Sequence, residues 1–207
     1  TLLPEVIAAY LGEHPGVRVR LADCDVEGVL TRVEAGEADF GIGPERPAGT
    51  EMNAQLLLDL PFVAVFQPAH ALDALKRVRW IDLVEHPLIA LQGQFTERLS
   101  IDLHVALHEQ ALQPTNEVAF MTTALSMVSA GLGVTACLPY AGSLVRAFGL
   151  RMELLHEPVL WRKVLVYERA TSTLSPAAQS FKEFLFAHVA AQPDYAERRR
   201  PASFVRG

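Results

Sequence analysis

Two stretches of this chain repeat one order of elements, and that order most constrains its fold. In the first, Val17, Val19 and Leu21 alternate with Arg18 and Arg20, the two-residue period of a half-buried strand. Val26, Val29, Leu30 and Val33 then recur at helical spacing, and the helix ends near Gly36. Phe40-Gly41-Ile42-Gly43 reads as a short buried strand. The same strand, helix, strand order returns between Leu88 and Leu138. Strands joined by a helix through short loops make a parallel βαβ unit. The expectation is an α/β chain of two similar halves.

The remaining segments fit between these units. Pro4 suits the first turn of a helix, which does not need its N–H. Val6, Ile7, Tyr10 and Leu11 give that helix one apolar face. The strip formed by Val6, Tyr10, Val29 and Val33 reads equally as a core face or as an exposed interface between two copies. Gln55–Leu60 and Phe62–Phe66 are strand-like runs parted at Pro61. Trp80–Val84 is a short helix and Leu88–Leu91 a short strand. Thr96 caps a helix running to about Gln110. Glu117–Ala119 is a brief strand, and Thr122 or Thr123 caps the helix that carries Leu125 and Val128. Val134–Leu138, Leu154–Val159 and Val164–Tyr167 are strands. Ser175-Pro176 opens a last helix, with Phe181, Phe184, Leu185 and Val189 inward. From Gln192 onward the chain reads as a polar tail.

Composition removes several classes of function. The 207 residues allow one or two domains. No apolar run approaches the roughly 18–20 residues of a membrane helix. A net charge of −6 opposes direct binding to a phosphate backbone. Arg198, Arg199 and Arg200 stand near Asp194 and Glu197 and read as a solvated tail. Cys24 and Cys137 are the only cysteines, as in a reduced cytosolic protein or one with a single disulfide. Gly41-Ile42-Gly43 and Gly131-Leu132-Gly133 lack the third glycine of a dinucleotide fingerprint. His104 and His108 stand one helical turn apart beside Glu109, but no third zinc ligand is evident. No serine or cysteine sits in a nucleophile elbow. Neither an enzymatic site nor a cofactor or metal site is announced.

Two loops have the chemistry of a binding site. In open α/β sheets ligands gather at the carboxyl ends of the strands, where helix N-termini present free N–H groups. Gln92-Gly93-Gln94-Phe95-Thr96 follows one strand. Its glutamines and threonine offer donors and acceptors, and Gly93 permits close backbone approach. The same residues also suit a plain turn and helix cap. Ala119-Phe120-Met121-Thr122-Thr123 follows another strand. Phe120 or Met121 would contact a ligand there and Thr122 would donate a hydrogen bond. A strand end with a helix cap is the simpler account.

A series of short signatures adds to this. In order they are Thr1-Leu2-Leu3-Pro4, His14-Pro15, Glu34-Ala35-Gly36-Glu37-Ala38-Asp39-Phe40-Gly41-Ile42-Gly43, Pro68-Ala69-His70-Ala71-Leu72, and Val128-Ser129-Ala130-Gly131-Leu132-Gly133 leading to Cys137-Leu138-Pro139. In this order the series resembles the effector-binding domain of LysR-type transcriptional regulators over roughly Thr1 to His188. The resemblance implies two Rossmann-like subdomains with a ligand cleft between them, the type 2 periplasmic-binding-protein arrangement. Subdomain I would take 1–66 and 161–192, subdomain II 67–160, and the tail 193–207. It implies a small-molecule effector, a homodimer or tetramer, a cytoplasmic location and no membrane. DNA would be contacted only through a winged helix-turn-helix preceding Thr1, outside this sequence. Both loops above fall where the family holds its effector. Thr1 stands near the family's hydroxyl-bearing loop. Val26 stands where the family often has a small or hydroxyl residue, here flanked by Asp23, Asp25 and Glu27, which would oppose a carboxylate. The alternative is a solute-binding protein of a transport system, which would carry a secretory signal and longer lobes.

Overall fold

Pro4 stands in the first turn of the opening helix, and from it the elements of the computed structural model run as follows. They are α1 (Leu2–Glu13), α2 (Val26–Glu34), β1 (Phe40–Pro44), β2 (Met52–Pro61), β3 (Val63–Phe66), β4 (Val78–Arg79), α3 (Trp80–Val84) and β5 (Leu88–Leu91). Then come α4 (99–104), β6 (Asn116–Val118), α5 (Met121–Ser129), β7 (Val134–Cys137), α6 (Gly142–Ala147), β8 (Arg151–His156), β9 (Trp161–Arg169) and α7 (Pro176–Ala191). The structure describes residues 2–46, 51–93, 99–104 and 113–192, apart from the side chains of Val26 and Glu27. Two compact units result, Thr1–Leu60 with Arg162–Gly207, and Pro61–Trp161.

In the first unit the sheet order is β1-β9-β2, with β1 antiparallel to β9. Helices cover both faces of β1, because consecutive strand residues point opposite ways. Phe40 stacks on Phe181 of α7, ring centres 5.9 Å apart. Gly41 faces α2, where an added Cβ would come within 2.7 Å of Val29 and 2.9 Å of Val33. Glycine therefore sets the close approach of helix to strand. Tyr10 of α1 packs on Phe181 and Phe184 at 5.0 and 5.2 Å, and its hydroxyl donates to Ser180 Oγ at 3.1 Å. The Tyr167 hydroxyl donates to the Pro44 carbonyl and accepts from the Arg46 N–H, which pins the end of β1.

Two expectations change here. Val6, Tyr10 and Val33 are fully buried inside the chain, so these three form a core face, while Val29 is half-buried. The expected strand over Val17–Leu21 joins no sheet among the described residues. Its alternation holds only over residues 17–20, with Val17 and Val19 half-buried and Arg18 and Arg20 exposed, and it breaks at Leu21, which is 53% exposed. Yet residues 18–24 make no backbone hydrogen bond to another described residue. Apolar alternation sets which side chains turn inward; a strand also needs an edge to pair with.

In the second unit the sheet order is β4-β8-β3-β7-β5-β6. β3 is antiparallel to β7 and β8, whereas β5 is parallel to β6 and β7. All four residues of β3 are buried, the continuous apolar run of a central strand. Ile89, Leu125, Val128 and Val145 pack with β3 in the core. The buried Thr135 hydroxyl donates to the Ile89 carbonyl at 2.7 Å. Trp80 is buried edge-on to Phe62 and donates to the Pro158 carbonyl at 2.9 Å. Gly133 (φ +146°) crosses so close to Pro87 that an added Cβ would lie 2.1 Å from its carbonyl oxygen.

One cap differs from expectation. α5 starts at Met121 with Phe120 as N-cap, and no side chain makes the cap bond. Thr122 and Thr123 lie in the first turn instead. Met121 packs against the core, so burial of its side chain starts the helix before either hydroxyl can cap it. Asp25 does cap α2, its carboxylate accepting from the Gly28 N–H at 2.7 Å, and Ser175 caps α7 by accepting from Ala178 N–H.

Candidate functional site

The second unit brings two of the sequence-derived loops to one sheet edge. β5 and β6 run parallel with Leu91 level with Val118, so the residues after each leave the same side. The Gln92 N–H donates to the Val118 carbonyl at 2.9 Å and ties the two exits together. Gln92 and Gly93 are exposed. Gly93 has φ +97°, and an added Cβ would meet nothing within 4 Å, so the loop is bent into open space. Phe120 is 66% exposed, an uncommon position for a large ring. Met121 is half-buried and Thr122 exposed. Met121 and Thr122 open α5 at positions whose amides have no helical acceptor, and the Thr123 N–H donates to the Phe120 carbonyl at 3.1 Å.

A third wall escaped the sequence reading. β7 is also parallel to β5, so its carboxyl end opens on this edge. The turn Pro139–Ala141 follows, with Tyr140 38% exposed. The signal was an apolar run broken by Leu138-Pro139. Exposed aromatics, amides and a hydroxyl on one edge are means to hold a small molecule by stacking and hydrogen bonds.

Val26 opens α2 in the first unit, its side chain outside the description. Thr1, Gln94, Phe95 and Thr96 lie outside the described residues, as do His108, Glu109 and the Arg198–Arg200 run. His104 is exposed. Among the described residues no three of His, Cys, Asp and Glu group as metal ligands, and no helix is long and apolar enough to cross a membrane. Asp25 is engaged as a helix cap, and Asp23 is exposed. Both cysteines are free thiols. Burial pushes Cys137 up to about 12, so it is a neutral packing group and no nucleophile.

The second unit also holds a cavity of about 30 Å³ between β5 and α4, lined by Trp80, Leu91, Ser100 and Leu103. That is room for a water and not for an organic ligand.

A family model described as the LysR substrate binding domain matches residues 1–190. The chain belongs to this family. The motif series and the α/β architecture thus lead to the same place. An uncharacterized HTH-type transcriptional regulator of Escherichia coli K12, YbhD, is 29% identical over 185 residues, covering 86% of this chain and 56% of that protein. The HTH-type regulator BenM of Acinetobacter baylyi is 24% identical over 161 residues, covering 76% and 53%. The LysR-family chain spans about half the length of these curated relatives. In fold it is similar to the regulatory domain of Synechocystis CcmR in complex with 2-PG (TM-score 0.76, 21% identity, 92% of both chains). It is equally similar to the BenM effector-binding domain with its effector benzoate (TM-score 0.76, 21% identity, 100% and 92%).

Proposed function

We propose that this chain is the effector-sensing and dimerising domain of a LysR-type transcriptional regulator. In this reading a small molecule controls DNA contact by a winged helix-turn-helix that precedes Thr1, in the cytoplasm. The observation that carries the reading is the family match over residues 1–190. The curated relatives are transcriptional regulators, which favours a regulator over a solute-binding protein of a transport system.

Two of the solved neighbours hold small ligands, benzoate in BenM and 2-PG in CcmR. An effector of that size class would contact Gln92, Gly93, Gln94, Phe95 and Thr96, with Phe120, Met121 and Thr122 beside them. Asp25, occupied at the α2 N-terminus, presents less repulsion to a carboxylate than the bare sequence suggests. An effector acts on DNA binding only by differing affinity for two arrangements of the domain.

The test is a thermal-shift screen of this domain against aromatic acids, amino acids, sugars and nucleobases. A ligand at roughly 100 times its Kd stabilises by about 2.7 kcal/mol, a shift of several degrees. A shift from one chemical class supports the reading. A flat response across the panel, with the domain folded, counts against it.

A further inference from the structure

Two aromatic residues flank the exit of β5 in the second unit. β6, β5 and β7 are adjacent parallel strands. Leu91 is level with Val118, and the pairing of Ile89 with Thr135 puts Cys137 at the same level two steps on. Phe120 follows that level by two residues and Tyr140 by three, with Gln92 between them at the end of β5. Their strands stand two spacings apart, about 9.6 Å. A flat ring in van der Waals contact on both faces takes about 7–8 Å, so one ring fits between the two columns. Phe120 is 66% and Tyr140 38% exposed, and neither stacks on another described ring.

The Tyr140 hydroxyl adds a polar demand to this geometry. It makes no hydrogen bond to another described residue. Protein packed around it, and after that the Cys137 thiol, push its pKa up to about 12, so the group keeps its proton and remains a donor. Open ring surface amid dense surroundings describes a concave wall, not a projecting ring. An enclosed donor that the fold leaves unused calls for an acceptor from outside. No side chain in 91–93, 118–123 or 138–141 is charged. Selection at these residues therefore rests on ring faces and neutral hydrogen-bonding groups.

We propose that Tyr140 is a specificity-determining residue of the effector site, its O–H donating to a carbonyl-type oxygen on a flat aromatic effector whose ring lies between Tyr140 and Phe120. This rests on the sensor reading above and narrows it to one chemical class. A sugar or an aliphatic amino acid brings acceptors but no ring face. A bare aromatic hydrocarbon brings the face but leaves the hydroxyl unpaired. Stacking adds to the burial of the ring, and a site built to hydrogen-bond its ligand discriminates against an analogue that lacks the partner atom. The Gln92 amide and the Thr122 hydroxyl, exposed on the same edge, are left for the effector's other polar groups.

The test titrates the 207-residue chain with benzamide and benzoate, with their saturated counterparts cyclohexanecarboxamide and cyclohexanecarboxylate, and with toluene, following amide chemical shifts. The expected result is binding of each aromatic carbonyl compound about 5-fold tighter than its saturated counterpart, with shifts at Gln92, Gly93, Phe120 and Tyr140. Tyr140→Phe should weaken benzamide and benzoate about 5- to 10-fold and leave toluene unchanged. It should not lower the melting temperature of the free chain, because the hydroxyl has no partner to lose. Phe120→Leu, at an exposed position, should weaken the three aromatic probes and spare the saturated ones. Equal binding of aromatic and saturated probes overturns the proposal, and so does unchanged affinity in Tyr140→Phe. A fall of several degrees in the melting temperature of Tyr140→Phe gives the hydroxyl to the fold and overturns it too. A sugar or aliphatic amino acid that shifts the same amides overturns the proposal while the sensor reading stands. No binding by any probe or panel member to the folded chain removes both.

Discussion

The Gln92 backbone donates to the Val118 carbonyl at 2.9 Å, and this bond makes one edge of two loops that stand 26 residues apart in sequence. It extends the parallel pairing of β5 and β6 by one step past Leu91 and Val118. Among the described residues beyond it, Gln92, Gly93, Ala119, Phe120 and Thr122 are exposed and Met121 is half-buried. The candidate site is therefore held by strand pairing while its side chains remain free to meet a ligand.

Thr122 gives the first prediction. Its hydroxyl is exposed and makes no cap bond. Thr122→Val should leave the melting temperature of the free domain essentially unchanged. It should weaken the ligand found by thermal shift roughly 5- to 10-fold in Kd, the worth of one hydrogen bond of about 1–1.5 kcal/mol. Titration calorimetry on the two proteins measures it.

Gly133 gives a prediction about the frame under that site. Its positive φ and the Pro87 carbonyl 2.1 Å from a built Cβ leave no room for a side chain. Gly133→Ala should cost more than about 3 kcal/mol, a severe loss of the kind reserved for overpacking and backbone strain. Gly12, inside α1 with nothing near its Cβ position, is the control. Gly12→Ala should stabilise by about 0.5–1 kcal/mol. Urea unfolding of both variants decides.

Thr135 gives a third. It is the buried polar side chain whose hydroxyl bonds Ile89 across β5 and β7. Thr135→Val keeps the volume and removes the donor, at a cost of about 1–3 kcal/mol. Thr135→Ser keeps the donor and loses a methyl group. Its loss should be limited to about the 0.8 kcal/mol of one buried carbon. Equal losses in denaturant unfolding would mean that the hydroxyl contributes nothing.

The pH dependence follows from His70. Burial, then the charge of His86, lowers its pKa from the ordinary 6.5, and its Nδ1 accepts from the Leu72 N–H, which needs the neutral ring. The unfolded chain therefore takes up this proton first. The stability His70 contributes is complete above about pH 6.5 and is lost as pH falls through its lower folded value. Melting temperature should drop as pH falls below about 6.5. His70→Asn, which keeps an accepting cap, should flatten that drop, as melting curves across the range would record.

Much of this was legible in the residues because local pattern and fold agree. Trp80–Val84, Leu88–Leu91 and the Ser175-capped α7 appear as read, each with its apolar spacing and its own stop or start signal. The strand expected at Val17–Leu21 was legible as alternation over its first four residues only, with Leu21 exposed, since pairing depends on a neighbour that no local pattern encodes. The α5 cap went astray because Met121, a core residue, outweighs two hydroxyls. Tyr140 was passed over because its role comes from β7 lying parallel to β5, a long-range fact.

The central claim is that the effector is held at the carboxyl ends of β5 and β6. The direct test is amide chemical-shift mapping of the domain titrated with the ligand from the thermal-shift panel. The account predicts shifts concentrated at Gln92, Gly93 and 119–122, and smaller in the Thr122→Val protein at the same sub-saturating concentration. Shifts that leave those residues silent and follow Leu3, Ile7, Phe40 and Phe181 would contradict it.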